Sequence, residues 1–366
     1  MFTESDLREL LGYQSLSPVL SVYLNTEPSE GNPDAHKRRL RGMLKEAASP
    51  EDATMVEQYI SHEFDWSGRS LAIFSSAPDG FFRAYSLAVP LRSRVRVSDH
   101  PHVKPLADLL DSYGGYGVAL VDKQGARMFY FHLGELREQE GVLGEAVRHT
   151  KRGGGSQAQG RRGGSAGQTN YVEEVTERNI KEAAEFAAHF FAENNVRRIL
   201  LGGTDENVAL FRTQLPKTWQ SLVMGSFPMS MTASHSEVLE RAMQVGQEAD
   251  RRREARLVET TVTNAAKGQS GVVGLEETLF AVHQGRVQTL VLKEGLRAPG
   301  SRCQGCGTIT AKELDVCPYC GGHFEHIPDV VELAVREVMQ SGGEVEFLHD
   351  ETDLEKHESF GAILRY

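Results

Sequence analysis

The sequence CQGCGTITAKELDVCPYC, residues 303–320, contains all four cysteines of this 366-residue chain. The cysteines form two pairs of the type Cys-x-x-Cys, with ten residues between the pairs. Glycines lie in and after these pairs, and glycine lets the backbone turn tightly enough for four thiolates to reach one ion. The spacing therefore predicts a tetrahedral zinc site formed by Cys303, Cys306, Cys317 and Cys320.

Four thiolates fill a tetrahedral coordination sphere, so the zinc is expected to be structural, with no position open for water. Clustered cysteines also indicate a reducing compartment, since a framework of disulfides would scatter them along the chain. A pair of redox-active dithiols is the alternative interpretation. Pro318 and the turn glycines favour the metal site instead.

The cysteine pairs interrupt an alternation of helices and strands. Helix patterns at 236–257 and 275–285 and a strand pattern at 287–295 precede them. An amphipathic helix, PDVVELAVREVMQ, and the strand patterns EVEFLH and GAILRY follow. Removing 299–326 leaves a regular α/β order, which predicts an α/β sandwich over 233–366 with an inserted zinc ribbon.

The same alternation predicts two more α/β domains towards the N-terminus. Residues 1–111 hold several strand patterns and two helix candidates, one of them basic at 34–48. Residues 112–232 begin with a β-hairpin pattern and continue with alternating helices and strands, among them the helix pattern DENVALFRTQL with Asp205 as its expected N-cap. The predicted fold class is therefore α/β, with three domains.

A glycine-rich segment, RHTKRGGGSQAQGRRGGSAGQ, covers residues 148–168. It has seven glycines and no acidic or large apolar residue, so it cannot bury enough surface to offset the entropy of ordering. A linker between domains is the simpler alternative, but the segment lies inside the middle domain, before a helix pattern at 176–194. In a chain of formal net charge −11, local positive charge predicts a mobile loop that approaches a polyanion such as RNA. The cations are Arg148, Lys151, Arg152, Arg161 and Arg162.

Nucleotide-binding motifs do not explain this segment. Gly153-x-Gly155-x-x-Ala158 lacks the preceding apolar strand of a dinucleotide fingerprint, and the chain has no Gly-Lys-Ser/Thr sequence for a phosphate loop. Gln157 directly follows Gly-Gly-Gly-Ser, and its amide can orient a water molecule because it both donates and accepts. Backbone N–H groups beside glycines can approach an oxyanion closely. Together these groups suit the hydrolysis of an ester.

The domain order, the basic glycine-rich loop and the inserted Cys-x-x-Cys pairs resemble the class I peptide-chain release factors of archaeal and eukaryotic type, which include bacterial homologues. The resemblance covers residues 112–366. It implies a ribonuclease-H-like middle domain whose loop enters the peptidyl-transferase centre, where a glutamine after two glycines helps water attack the ester of peptidyl-tRNA. Carried onto this sequence, it implies that the catalytic group is Gly154, Gly155, Ser156 and Gln157, with Gln168 as a reserve candidate.

The sequence departs from the family pattern in two places. Gln157 lies two positions after the place of the glutamine in a plain Gly-Gly-Gln motif. The Gly-Ser-Gln sequence found here resembles that of the family branch that releases nascent chains from stalled, split large ribosomal subunits. Residues 1–110 lack the Asn-Ile-Lys-Ser motif that reads stop codons. The resemblance thus implies rescue of stalled ribosomes, with the large subunit, peptidyl-tRNA and rRNA as partners and a translational GTPase as a further one.

Two alternative functions stay open. One is a non-catalytic ribosome-binding factor of the hibernation type on the same fold. The other is a metal-dependent nuclease, for which Glu173 and Glu174 are the candidate ligands. Because no apolar run reaches the roughly 18 residues that span a bilayer and the first residues lack a signal-peptide pattern, the protein is expected in the cytoplasm without membrane contact.

Overall fold

The computed structural model describes residues 2–47, 49–145 and 166–366. By its internal contacts the chain divides into two compact units. One combines Met1–Ser112 with Arg251–Tyr366, and the other is Tyr113–Asp250. The finer division into three domains stays a prediction.

The described residues form ten α-helices and sixteen β-strands. The helices are α1 (Glu4–Gly12), α2 (Pro33–Ala47), α3 (Pro50–His62), α4 (Lys104–Tyr113), α5 (Ala166–Glu193), α6 (Asp205–Gln214), α7 (Lys217–Gln220), α8 (His235–Ala266), α9 (Leu275–His283) and α10 (Val330–Gln340). The strands are β1 (Val19–Asn25), β2 (Ser70–Ser76), β3 (Phe81–Leu87), β4 (Arg94–Ser98), β5 (Tyr116–Val121), β6 (Gly125–His132), β7 (Glu135–Leu143), β8 (Arg198–Gly203), β9 (Val223–Phe227), β10 (Gly271–Val273), β11 (Val287–Lys293), β12 (Gly300–Cys303), β13 (Ile309–Thr310), β14 (Phe324–Ile327), β15 (Glu344–Leu348) and β16 (Phe360–Leu364). This mixture confirms the predicted α/β class. No helix among the described residues is both long and apolar enough to cross a membrane.

The first unit begins with a four-stranded antiparallel sheet in the order β3-β2-β1-β4. Strands β1 and β2 lie in its centre and are almost wholly buried, whereas β3 and β4 form the edges, as their alternating patterns predict. Helices α2 and α3 pack on one face, where Leu40, Val56 and Ile73 belong to a common core.

Helix α1 is not among the predicted elements, although Leu7, Leu10 and Leu11 lie at helical spacing and are buried. Its N-terminus also has a strong local signal. The side chain of Thr3 accepts a hydrogen bond from the N–H of Asp6, and the Asp6 carboxylate accepts one from the N–H of Thr3. This reciprocal capping box satisfies two helix-terminal donors. At the other end, the Arg336 side chain on α10 donates to the carbonyl of Leu11 at 2.6 Å.

A buried ion pair joins the start of α4 to α10. The Glu332 carboxylate lies 2.9 Å from Nδ1 of His102 and accepts a hydrogen bond of 2.9 Å from the N–H of Val103. The side chains of Glu332 and His102 are 5% and 8% exposed. Burial raises the pKa of Glu332, but the charges of His102 and Lys104 outweigh it and hold the pKa at about 2.

The remainder of the first unit is an α/β sandwich, as predicted. Its sheet has the order β10-β16-β11-β15, with β11 and β15 parallel and the other pairs antiparallel. Helices α9 and α10 pack on one side. On the other side Val258 of α8 packs with Val291, Leu348 and Leu354.

The cysteine-containing segment forms a separate three-stranded ribbon, in the order β13-β12-β14, between β11 and α10. Its two ends are adjacent, because the N–H of Val330 donates to the carbonyl of Ala298 at 2.8 Å. The predicted insertion into the sandwich is therefore observed.

The second unit contains a five-stranded sheet in the order β7-β6-β5-β8-β9. Strands β5 to β7 form an antiparallel meander, and β8 and β9 continue the sheet parallel to β5. This arrangement is the ribonuclease-H-like one that the resemblance implies. Side chains of α5 and α6 cover one face and side chains from the first half of α8 cover the other.

Two local predictions in this unit are wrong. Helix α5 begins at Ala166 rather than 176, so the last residues of the predicted loop, 166–168, have helical backbone. The packed stripe that starts at Val175 supplies a helical nucleus, and each residue added in front gains one hydrogen bond. At α6 the N-cap is Thr204, whose hydroxyl accepts from the N–H of Asn207 at 3.4 Å, and the predicted cap Asp205 is already helical.

Candidate functional site

The ribbon brings the four predicted cysteine ligands together. Every pair of their sulfur atoms lies within 4.8 Å, and the shortest separations are 3.4 Å for Cys303 with Cys320 and 3.6 Å for Cys306 with Cys317. An ion held tetrahedrally about 2.3 Å from each sulfur would set the sulfurs about 3.8 Å apart. The donor set and its spacing therefore fit one metal ion.

The two cysteine pairs turn in the same way. The N–H of Gly307 donates to the carbonyl of Cys303 and the N–H of Gly321 to the carbonyl of Cys317, both at 2.9 Å. Both glycines adopt left-handed backbone, with φ of 79° and 73°, which favours glycine over other residues. The sequence therefore gives each knuckle the turn that points its sulfurs inward.

The thiols are also fitted closely to the backbone around them. The N–H of Gly305 donates to Cys303 Sγ at 3.3 Å. A Cβ atom on Gly305 would lie 2.9 Å from Cys320 Sγ, and one on Gly322 would lie 3.0 Å from Cys303 Sγ. These glycines are thus required for close approach of the sulfurs.

One face of α9 fastens the ribbon to the sandwich. Glu276 accepts hydrogen bonds from the Thr310 hydroxyl at 2.7 Å and the N–H of Ala311 at 3.0 Å. One turn later the ring of Phe280 stacks on that of Tyr319, with 5.9 Å between centroids. Positions four apart share a helix face, so these contacts form a single seam.

The third contact of this seam reaches the metal ligands. Nε2 of His283 lies 3.0 Å from Oγ1 of Thr308, which lies 3.0 Å from Sγ of Cys306. A thiolate only accepts hydrogen bonds, so Thr308 donates to it and receives its own from His283. Hydrogen bonds from the Thr308 hydroxyl and N–H lower the pKa of Cys306 to about 6, which favours the thiolate form that binds metals. No sequence pattern identifies His283 as a partner of this site.

The predicted catalytic and RNA-binding residues lie outside the described residues. They are Gly154, Gly155, Ser156 and Gln157, together with Arg148, Lys151, Arg152, Arg161 and Arg162. Of the reserve candidate Gln168 the structure describes only the backbone, which belongs to α5.

The chain just before this segment is held firmly, by a residue that the sequence does not single out. Asn179 on α5 is 2% exposed. Its Oδ1 accepts from the N–H of Glu145 at 3.0 Å, and its Nδ2 donates to the carbonyls of Glu145 at 2.8 Å and Lys123 at 3.1 Å. Tyr171 and Arg178, also on α5, bind the Glu145 carboxylate. The chain at Glu145, three residues before the glycine-rich segment, is thus attached to α5.

Glu173 and Glu174, the candidate nuclease ligands, are both exposed on α5. Adjacent residues of a helix point in different directions, so these two carboxylates do not form a converging metal site with one another. Within the part of the chain that the structure describes, the ligand atoms that converge closely enough to hold a metal ion are those of the four cysteines.

Ser112, His349 and Glu254 have the connectivity of a hydrolase triad. Ser112 Oγ lies 3.1 Å from His349 Nε2, and Glu254 Oε1 lies 3.3 Å from Nδ1. Hydrogen bonds to Asp108 and Glu254 raise the pKa of His349 to about 10. A histidine that is already protonated cannot accept the proton of a serine hydroxyl. The group is therefore a structural ion-pair cluster.

Residues 101–247 match the model of a protein family described as "Bacterial archaeo-eukaryotic release factor family 10". The matched range includes the glycine-rich segment and Asn179, and it ends before the cysteine ribbon. Peptide chain release factor subunit 1 of Methanocaldococcus jannaschii is 23% identical over 307 residues, covering 76% of this chain and 72% of the relative. The protein of the same name from Archaeoglobus fulgidus is 30% identical over 188 residues, which is 46% of each chain.

Solved structures with low sequence identity align along almost the whole chain. The archaeal translation termination factor aRF1 aligns over 99% of this chain and 97% of its own, with 14% identity and a TM-score of 0.28. Dom34 of S. cerevisiae aligns over 97% and 98%, with 10% identity and a TM-score of 0.42. Because these TM-scores are low, the relation to the family rests on the sequence matches.

Proposed function

We propose that this chain, which is similar in sequence to bacterial and archaeal release factors, acts on the ribosome as a rescue factor that hydrolyses the ester bond of peptidyl-tRNA. The observation that carries the proposal is the position of the glycine-rich segment. It lies within the range matched by the family, 101–247, and it follows three residues after Glu145, which Asn179 holds to α5.

The proposed reaction is attack of water on the ester carbonyl carbon. The carbonyl–ribose oxygen bond breaks, and the peptide leaves as a carboxylic acid while the ribose hydroxyl of the tRNA regains its proton. Gln157 would orient the water through its amide, and N–H groups at Gly154, Gly155 and Ser156 would stabilise the oxyanion. Cations of the same segment would contact phosphates of rRNA and tRNA.

The cysteine centre has a separate role in this proposal. Zinc is the ion that four thiolates in a tetrahedral arrangement favour. Held by Cys303, Cys306, Cys317 and Cys320, it would stabilise the ribbon and its seam with α9, remote in sequence from the chemistry. A translational GTPase as partner and a cytoplasmic location belong to the same proposal.

The test is release of a labelled peptide from peptidyl-tRNA on purified ribosomes and on isolated large subunits. Gln157→Ala is expected to slow release about 10²- to 10³-fold, the usual loss for one oriented group at such a site. Gln159→Ala is the matched control, since the residue is two positions away and has no assigned role. Undiminished release by the Gln157→Ala, Gln168→Ala double variant would show that neither glutamine is catalytic.

A non-catalytic ribosome-binding factor of the hibernation type is the second candidate. The register of the segment favours it, because Gln157 lies two positions beyond the place of the glutamine in Gly-Gly-Gln. This candidate predicts that the protein sediments with ribosomes while no peptide is released. The same release assay, run beside a sedimentation assay, separates the two functions.

A further inference from the structure

We propose that the ribbon and α9 together present a docking surface for a cationic segment of a partner protein. We call this surface the ribbon face, and its apolar members are Phe280, Leu314, Val316 and Tyr319. The inference rests on the proposed function, because the partner is expected among the proteins of the ribosome.

Four of the nine large apolar side chains that are exposed among the described residues belong to the ribbon face. The exposed fractions are 37% for Phe280, 39% for Leu314, 53% for Val316 and 59% for Tyr319. Leu314, Val316 and Tyr319 follow one another closely in the chain, and Tyr319 stacks on Phe280. Exposed apolar patches on soluble proteins commonly mark binding sites, and tyrosine is among the residues that contribute most at interfaces.

The aromatic pair is held in place before any partner arrives. Tyr319 lies between two metal-ligating positions, Cys317 and Cys320, and its ring is also 6.4 Å from that of His283. Phe280 belongs to a helix whose neighbouring turns bind the ribbon through Glu276 and His283. A surface that is already ordered loses little conformational entropy on binding.

Charges around the apolar side chains select the chemistry of the partner. Glu277 is exposed one turn before Phe280, and Glu313 and Asp315 are exposed on either side of Leu314. The nearby cation Lys312 lies 3.9 Å from Glu276, which offsets its charge. An acidic rim repels the phosphates of RNA and attracts lysine and arginine side chains. The complementary surface is therefore an apolar or aromatic side chain flanked by cations, on a protein.

This preference is opposite to that of the glycine-rich segment, whose charges suit RNA. The two regions would thus contact different components of one particle. Complementary charge at the rim would steer and orient the protein, while the apolar centre would supply most of the affinity.

The test places a photo-crosslinking amino acid, p-benzoylphenylalanine, at position 319 of the full-length protein and irradiates it with purified ribosomes. We expect a cross-link to a basic ribosomal protein. The same amino acid at position 16, where Leu16 is fully exposed on the N-terminal part of the chain, is the control for non-specific reaction. Sedimentation of each sample with ribosomes is measured in parallel.

Three further variants keep the result interpretable, provided that each retains its bound metal. Unlabelled protein that carries both Glu313→Lys and Asp315→Lys should no longer compete for the site to which position 319 cross-links. Tyr319→Ala should weaken that competition about tenfold or more, and Tyr319→Phe should restore it. Cross-linking to rRNA, or sedimentation with ribosomes without a protein cross-link at 319, would overturn the inference while leaving the proposed function intact. Failure to sediment at all would remove the proposed function, and the inference with it.

Discussion

Asn179 binds Glu145 through both halves of its side-chain amide, accepting from the N–H at 3.0 Å and donating to the carbonyl at 2.8 Å. The amide thereby pairs with the backbone in the way that a neighbouring strand would. Gly144 allows this contact, because a Cβ atom there would lie 2.2 Å from Asn179 Oδ1. The chain is thus fixed at Glu145, three residues before the glycine-rich segment.

Replacing this amide should damage both stability and release. Asn179→Ala leaves the backbone groups of Glu145 without their partner, and a buried unsatisfied group costs about 1–3 kcal/mol. We expect the free energy of unfolding, measured by urea titration, to fall by about that amount. Peptide release should fall further than stability alone explains, since the chain leading into the segment is no longer held at Glu145.

Asn194→Ala is the matched control for Asn179→Ala. Asn194 lies just after the end of α5, and its side-chain amide donates one hydrogen bond among the described residues, of 3.1 Å, to the carbonyl of Phe190. We expect it to release peptide at the normal rate. Equal losses in the two variants would mean that Asn179 has only a general structural role.

The outer contacts of the cysteine centre should tune its affinity for metal. Thr308→Val removes the hydrogen bond to Cys306, and His283→Ala removes the group that orients Thr308. Contacts of this kind typically contribute about 10- to 100-fold to metal affinity. Competition with a chelator should detect the loss in both variants. His326→Ala, an exposed position on the same ribbon, should bind zinc as tightly as the unaltered protein.

The buried pair of Glu332 and His102 should make the free energy of unfolding depend on pH. The pKa of Glu332 in the folded protein, about 2, lies below its ordinary value of 4.5. Its ionised form therefore stabilises the fold fully above about pH 5, and this contribution is lost as the pH falls towards 2. Glu332→Gln should lower the free energy of unfolding at pH 7 by about 3–5 kcal/mol, because it breaks a buried pair.

Unfolding measured at several pH values checks this assignment. The difference between the unaltered protein and Glu332→Gln should shrink steadily below pH 5. Glu4→Gln, which removes an exposed pair with Arg8, should change stability by less than about 0.5 kcal/mol at any pH. A difference that stays constant down to pH 2 would show that Glu332 does not act through its charge.

The cations of the glycine-rich segment should determine how strongly salt weakens ribosome binding. Each phosphate contact adds about 0.7–0.9 to the slope of log affinity against log salt concentration. Arg152→Ala, Arg161→Ala and Arg162→Ala should each reduce the slope by about that amount, as measured by sedimentation. Arg8→Ala, on the exposed side of α1, should leave it unchanged. Unaltered slopes in all three loop variants would place the RNA contacts elsewhere.

Much of the architecture follows from local patterns in the sequence. The apolar run of β11 and the paired cysteines of the ribbon depend on residues close together in the chain, so their structures can be predicted directly. Strand β7 cannot, because most of its side chains are exposed and its place is set by backbone pairing with β6. A tight turn at Leu133 and Gly134, both with positive φ, directs it there.

In the functional site, too, some features depend on residues close together in the chain and others on residues far apart. The four ligands are recognisable from spacing, whereas His283 and Asn179 act through partners about 25 and 34 positions away. A single polar residue on a helix has no pattern that reveals such a partner. The contact between Asn179 and Glu145 and the seam of α9 therefore emerge only from the folded chain.

The hydrogen bond between Val330 and Ala298 has a consequence for the history of this protein. Because the two ends of the ribbon already touch, a short turn could replace it without disturbing β11 or α10, and connections of this kind tolerate insertion and deletion. Evolution could therefore gain or lose the whole ribbon as one exchangeable module. The four cysteines should then be inherited together, or be absent together, among descendants that share the same sandwich.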